Sequence, residues 1–259
     1  MNILITGHQG FIGKNMVNSL HENDHDLFYF EWGDDLPNIK DMDWVIHLGA
    51  ITSTTDRNVD KIMVQNYDFS CWVIEQCAHH EVNLQYASSA SIYGLGSSFK
   101  EIALPDPRTP YAWSKYMVER YATKYIKSNC KSIIQGFRYF NVYGPHEDHK
   151  NDQASPFHRF PIQLEREGHV TLFEGSDNYK RDFIHVDDVI NIHKRFFNIN
   201  KSGIWNVGSG SPMSFLDVAK QFTTNIKTIP MPEILKSSYQ KYTCADLTRL
   251  NYTLTQEQK

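Results

Sequence analysis

The chain has 259 residues, 41% of them hydrophobic, and a formal charge of −4, enough apolar material for one large domain or a domain with an appended lobe. Lysines and arginines are spread along the sequence rather than clustered, which excludes a basic nucleic-acid interface. No run of about 18 apolar residues is present to cross a membrane.

The first apolar run, Asn2 to Ile5, is too short and uncharged to open a signal peptide, so a soluble cytoplasmic protein is expected. It breaks at Gly7-His8-Gln9-Gly10-Phe11-Ile12-Gly13 and continues into a helical pattern from Phe11 to Leu20. Strand, glycine turn and helix in this order let the backbone pass close to a pyrophosphate and offer it a helix N-terminus. Asp26 to Trp32 reads as a second strand, with Glu31 near its end, about 20 residues after the glycines. A carboxylate there can accept both ribose hydroxyls, which favours NAD over NADP; an ordinary strand-end charge is the plainer alternative. The next strand, Asp43 to Leu48, follows too soon for a full helix and an extra strand, since a parallel crossover alone needs roughly 10–12 residues.

Leu48, Gly49 and Ala50 end that strand with small residues suited to close contact with a cofactor, and a helix follows from about Asn58 to Ala78. Asn66 lies mid-helix, where a polar side chain needs a partner; it is placed with the cofactor residues, a plain exposed asparagine being the alternative. Asn83 to Ser88 is another strand, leading into Ser89-Ala90-Ser91-Ile92-Tyr93-Gly94. A hydroxyl there lies at the carboxyl edge of the sheet, where open α/β folds bind ligands. Three prolines between Leu104 and Pro110 lead into a helix with Tyr111 and Lys115 four apart, hence on one face. Tyrosine ordinarily titrates near pH ~10, so a cation beside it is needed to stabilise its phenolate.

Together, the glycine turn, Ser89 before Ala90, and Tyr111 with Lys115 resemble the extended short-chain dehydrogenase/reductases that act on nucleotide sugars. Phe137 to Pro145 followed by His149-Lys150, Phe173-Glu174-Gly175-Ser176, Lys180-Arg181-Asp182-Phe183, and Tyr239-Gln240 with Ala245 to Thr248 resemble the ADP-glycero-manno-heptose 6-epimerases. The resemblance implies an α/β fold: a Rossmann-type doubly wound parallel sheet in 1–140, also receiving parts of 177–208, and a smaller substrate-binding lobe mainly in 141–259. It implies NAD or NADP bound by Gly7, Gly10, Phe11, Ile12, Gly13, Glu31, Leu48, Gly49, Ala50, Asn66 and Lys115.

By the same resemblance the nicotinamide takes a hydride from a sugar carbinol while Tyr111 accepts the hydroxyl proton, Ser89 holds the oxygen and Lys115 binds ribose and stabilises phenolate. Lys150 is implied as the second proton-transfer group, needed on the opposite face when hydride returns. Asn141, Phe173, Glu174, Gly175, Ser176 and Tyr239 are implied on the substrate side, with Arg181 as diphosphate clamp; its plainer alternative is an ion pair with Asp182 or Asp187. Ala90 and Ser91 stand where dehydratase relatives carry an acidic pair, which places epimerisation ahead of dehydration.

Other nucleotide-sugar chemistry, a 4-epimerase or a reductase, is the alternative among enzymes, and a non-catalytic NAD(P)-binding sensor the alternative among binding proteins. Intact Ser89, Tyr111 and Lys115 argue against the sensor. Asp152 and Arg159 depart from the serine and histidine common in heptose epimerases and bear on the choice of sugar. No metal is assigned: Cys71, Cys77, Cys130 and Cys244 form no Cys-x-x-Cys pair, and the loop of His146, Glu147 and His149 lacks the helix of known zinc motifs. Reduced, mostly buried thiols are expected. Tyr116, Met117, Tyr121 and Tyr125 give the Tyr111 helix an aromatic second face, leaving a homo-oligomer and intrachain packing both open.

Overall fold

A computed structural model describes residues 1–23, 25–233 and 239–256, with Asp152 described by its backbone alone. The first half alternates strands and helices: β1 (Asn2–Thr6), α1 (Phe11–His21), β2 (Asp26–Phe30), β3 (Trp44–His47), α2 (Val59–Ile62), α3 (Phe69–His80), β4 (Asn83–Ser89), α4 (Pro110–Ile126) and β5 (Ile134–Tyr139). It continues through β6 (Asn141–Tyr143), α5 (Pro156–Glu167), β7 (Val170–Phe173), β8 (Lys180–Arg181), β9 (Phe183–His185), α6 (Val186–Phe196) and β10 (Gly203–Val207). The last elements are β11 (Met213–Ser214), α7 (Phe215–Lys220), β12 (Ile226–Ile229) and α8 (Thr248–Gln256).

Six strands form a parallel sheet in the order β10-β5-β4-β3-β1-β2. Residues of β1 and β3 alternate between its faces. Leu4 and Val45 pack with residues of α3 and α4, while Ile3, Ile5, Trp44 and Ile46 pack with residues of α1 and α6. Three two-stranded sheets, β11 with β8, β12 with β7 and β6 with β9, lie outside this one.

Among the described residues the strand that stands third in the common dinucleotide-binding order 3-2-1-4-5-6 has no counterpart beyond β2. After β2 the chain returns directly to β3, beside β1, so β2 is the sheet edge. The link is closed by Ile39, only 3% exposed and packed with Phe30, Val45 and Phe69. Trp32 lies outside β2, in a bridge with Asp34 that ends the strand earlier than its apolar run suggests.

The helical stretch after β3 is not uniform. Between α2 and α3 the residues Met63–Asp68 form a π-helical turn, and Asn66 within it is fully buried rather than exposed. Its Oδ1 accepts from Ile51 N at 2.7 Å, and its Nδ2 donates to Ile51 O at 2.9 Å and to Ser114 Oγ at 3.1 Å. The widened turn thus ties the segment after β3 to α4. Of the four free cysteines, only Cys77 is buried, short of the burial expected of the set. Among the described residues no helix is long and apolar enough to cross a membrane.

Candidate functional site

The carboxyl ends of β1, β3, β4 and β5 open onto one cleft of about 510 Å³, lined by Gly7, Gly10, Phe11, Ile12, Gly13, Glu31, Leu48, Gly49 and Ala50 from the nucleotide side. Ser89, Tyr111, Lys115, Asn141 and Lys150 line the same cleft. The glycines are required by space. Gly7 has φ +73°, and a Cβ there would stand 2.5 Å from Gly49 Cα; one on Gly13 would stand 2.1 Å from Gly7 O. Helix α1 starts at Gly10 without a side-chain cap, so its first N–H groups remain for an anion.

Glu31 is held at the rim of this turn. Its Oε1 accepts from Gln9 N at 2.7 Å, and His8 Nδ1 lies 3.2 Å away without the alignment of a hydrogen bond. Bare glycine turn, uncapped helix and rim carboxylate together fit the pyrophosphate and ribose of a dinucleotide. Asn66 does not reach the cleft; it fixes Ile51, next to Ala50, from behind.

The proton-handling residues come from α4 and β4. Thr109 Oγ1 caps α4 by accepting from Ala112 N at 3.1 Å, and Pro110 fits the first turn, so Tyr111 and Lys115 enter the cleft on successive turns. Burial pushes the Tyr111 phenol up, and its hydrogen bond with Ser89 opposes that. Burial also lowers Lys115 to about 8. The Lys115 ammonium donates to Ala87 O at 2.9 Å. Below Tyr111, Tyr139 donates to His193 Nε2, and His193 Nδ1 donates to Gln85 Oε1 at 2.7 Å. Burial holds His193 down to about 3 and raises Tyr139, which Tyr111 raises further.

Lys150 enters from the loop between β6 and α5, its ammonium 3.2 Å from Glu147 Oε2 and 4.8 Å from the centre of the Phe11 ring. Among the described residues no cluster of three metal-ligating side chains occurs.

Phe173, Glu174, Gly175, Ser176, Arg181 and Tyr239 do not line the cleft. Several form a second cluster beside it: Arg181 lies 5.3 Å from the Tyr239 ring and 5.6 Å from that of Phe215, and Phe173 meets Tyr239 at 6.2 Å. Phe215 also lines the cleft, joining the two. Arg181 is 9% exposed and pairs with neither expected acid. Asp182 instead accepts from Ser209, Gly210 and Ala245, and Asp187 meets His185. Sequence reasoning missed Tyr139, Gln153 and Phe215 as lining residues: Gln153 and Phe215 sit in stretches whose pattern marks only loop or core, and Tyr139, though within the Phe137 to Pro145 stretch, reads as buried strand. Arg159, noted as a departure, does line the cleft. The side chain of Asp152 lies outside the described residues.

The chain is 37% identical to the ADP-L-glycero-D-manno-heptose-6-epimerase of Brachyspira hyodysenteriae over 287 aligned positions, covering 96% of this chain and 90% of that relative. The crystal structure of the Helicobacter pylori ADP-L-glycero-D-manno-heptose-6-epimerase superposes with a TM-score of 0.85 at 25% identity, over 98% of this chain and 90% of the other. A UDP-N-acetylglucosamine 4-epimerase from Methanobrevibacter ruminantium shares the fold at TM-score 0.86 and 22% identity, over 98% of this chain and 91% of that one. Residues 3–208 match the NAD dependent epimerase/dehydratase family, and with the glycine cradle, Ser89, Tyr111 and Lys115 gathered in one cleft, the chain belongs to that family.

Proposed function

We propose that the protein inverts carbon 6 of an ADP-heptose by transient oxidation to a ketone, with Tyr111 and Lys150 as its two acid/base groups. The observation that carries this is the delivery of Tyr111 by α4 and of Lys150 by a separate loop to one cleft, joined to the 37% identity with a heptose 6-epimerase. Bound NAD supplies reversible hydride removal and return, and a positive ring charge in its oxidised form. All proton traffic falls to the chain.

Ser89 holds the reacting oxygen and Tyr111 takes its proton in the oxidation; Lys150 gives a proton to that oxygen when hydride returns to the opposite face of the ketone, and exchange with solvent resets both groups. Lys150 serves the other face of the carbon, so the centre is inverted without net consumption of cofactor. Lys115 anchors on the carboxyl end of β4 and presents charge to the ribose. Arg181, between the Tyr239 and Phe215 rings, clamps the diphosphate. Glu31 favours NAD, since its carboxylate accepts two ribose hydroxyls and repels a 2′-phosphate.

Incubation with ADP-, GDP- and UDP-sugars in deuterated solvent, followed by NMR and by absorbance at the reduced-nicotinamide band, tests the assignment. Inversion at carbon 6 of an ADP-heptose without net reduced cofactor is expected. Inversion at carbon 4 sinks the heptose assignment, and cofactor binding without any turnover sinks the enzyme.

A further inference from the structure

The loop that carries Lys150 is organised around one carboxylate. Glu147 is fully buried, and each of its oxygens takes two donors. Oε1 accepts from Gly144 N at 3.2 Å and Ser155 Oγ at 2.7 Å; Oε2 accepts from Ser155 N at 2.8 Å and Lys150 Nζ at 3.2 Å. Ser155 is in turn the N-cap of α5, accepting from His158 N at 3.3 Å. Asn15 of α1 donates to Pro145 O at 2.9 Å and so fastens the start of the loop to the nucleotide side of the cleft. Lys150 itself is on a 3₁₀ turn broken at Asn151, whose φ is +45°. Short turns of this kind fix a side chain poorly by themselves. A lysine stem also has four rotatable bonds and a strongly hydrated head, so an unheld Lys150 would spread over many rotamers and into solvent.

We propose that Glu147 is a positioning residue for the reaction: it holds the Lys150 ammonium against the Phe11 ring, at the cleft wall, where the second proton transfer takes place. This rests on the role given to Lys150 above. The carboxylate forms no part of a metal site, because all four of its accepting directions are used within the loop.

Two measurements test it. Glu147→Gln keeps the size but faces its amide N–H₂ toward two donors, which frees the ammonium. Epimerisation should fall about tenfold or more in kcat with KM and NAD affinity little changed, since general acid/base groups contribute ~10²–10⁴-fold. Coupling with Lys150→Met should be strongly non-additive: on that background Glu147→Gln should change the residual rate by less than about twofold. Full additivity, or an equal loss in Ser155→Ala, which disturbs the same carboxylate without touching Lys150, overturns the proposal. Full epimerisation by Lys150→Met overturns the role of Lys150 and with it this one. A substrate-free readout separates the two: acylation of Lys150 by an amine-directed reagent, followed by peptide mass spectrometry, should rise several-fold in Glu147→Gln. An unchanged rate shows that Glu147 does not hold the lysine, whatever sugar the enzyme accepts.

Discussion

Removing one oxygen from Tyr111 leaves the ring that fills its place in the cleft wall. Tyr111→Phe should therefore keep the fold and bind NAD while losing about 10²–10⁴-fold in kcat, the share of a positioned acid/base. Steady-state kinetics beside calorimetric NAD titration checks both halves. Residues of this kind were readable in the sequence because their chemistry needs fixed spacing: glycines that a Cβ would jam, and a tyrosine one helical turn from a lysine. The partners of Asn66 were not readable, for an equally local reason. Nothing in an amphipathic pattern announces a π turn, and the turn is what aims its amide at Ile51 and Ser114 instead of the cleft. Arg181 was legible as a buried-guanidinium candidate only through resemblance. Its stacking between Phe215 and Tyr239 joins residues 34 and 58 positions downstream, beyond any periodicity.

Helix α4 carries the catalytic pair, and a buried ion pair fixes where that helix lies. Arg138 of β5 donates from Nε to Glu119 Oε1 at 2.8 Å and from Nη2 to Glu119 Oε2 at 2.6 Å. Ser88 of β4 adds a hydrogen bond to the same carboxylate at 2.5 Å, and Arg138 Nη1 reaches Tyr93 OH at 2.9 Å. Glu119 is one turn beyond Lys115, so loss of this anchor is transmitted directly to the proton-handling face. Arg138→Met leaves a buried carboxylate unpaired, which costs about 3–5 kcal/mol. Urea unfolding should show that loss, with kcat reduced at temperatures where the variant is still folded. At this scale the order of strands and helices was legible from apolar runs and breakers. Their ends were not, as with Trp32, because a turn hydrogen bond rather than hydrophobicity stops β2.

Across the whole molecule, two neutral histidines tie layers together. His47 bridges Thr6 of β1 and Ser70 of α3, and His193 of α6 bridges Tyr139 of β5 and Gln85 of β4. Burial lowers both to about 3, with the Lys115 charge adding to the shift of His47. As pH falls below the ordinary value near 6.5, the unfolded chain takes up protons that the folded one refuses. Their contribution is therefore complete above pH 6.5 and drains away toward pH 3, at up to about 1.4 kcal/mol per pH unit for each histidine. Urea unfolding between pH 7 and 5 should show this slope, and His193→Gln should halve it even though it lowers stability at both ends. The far-reaching connections of the second half, such as the Asp182 carboxylate gathering Ser209, Gly210 and Ala245, were invisible in the sequence, since three of the donors are backbone N–H groups that any residue could supply and the Ser209 hydroxyl that joins them carries no spacing signal. The missing strand beyond β2 has a different kind of consequence. Among the described residues it leaves β2 with one margin that no strand pairs, beside the exposed rings of Phe28 and Tyr29, the arrangement through which sheets of separate molecules join. The concentrated protein should thus be prone to strand-to-strand self-association, seen as a concentration-dependent rise in light scattering that Phe28→Lys suppresses.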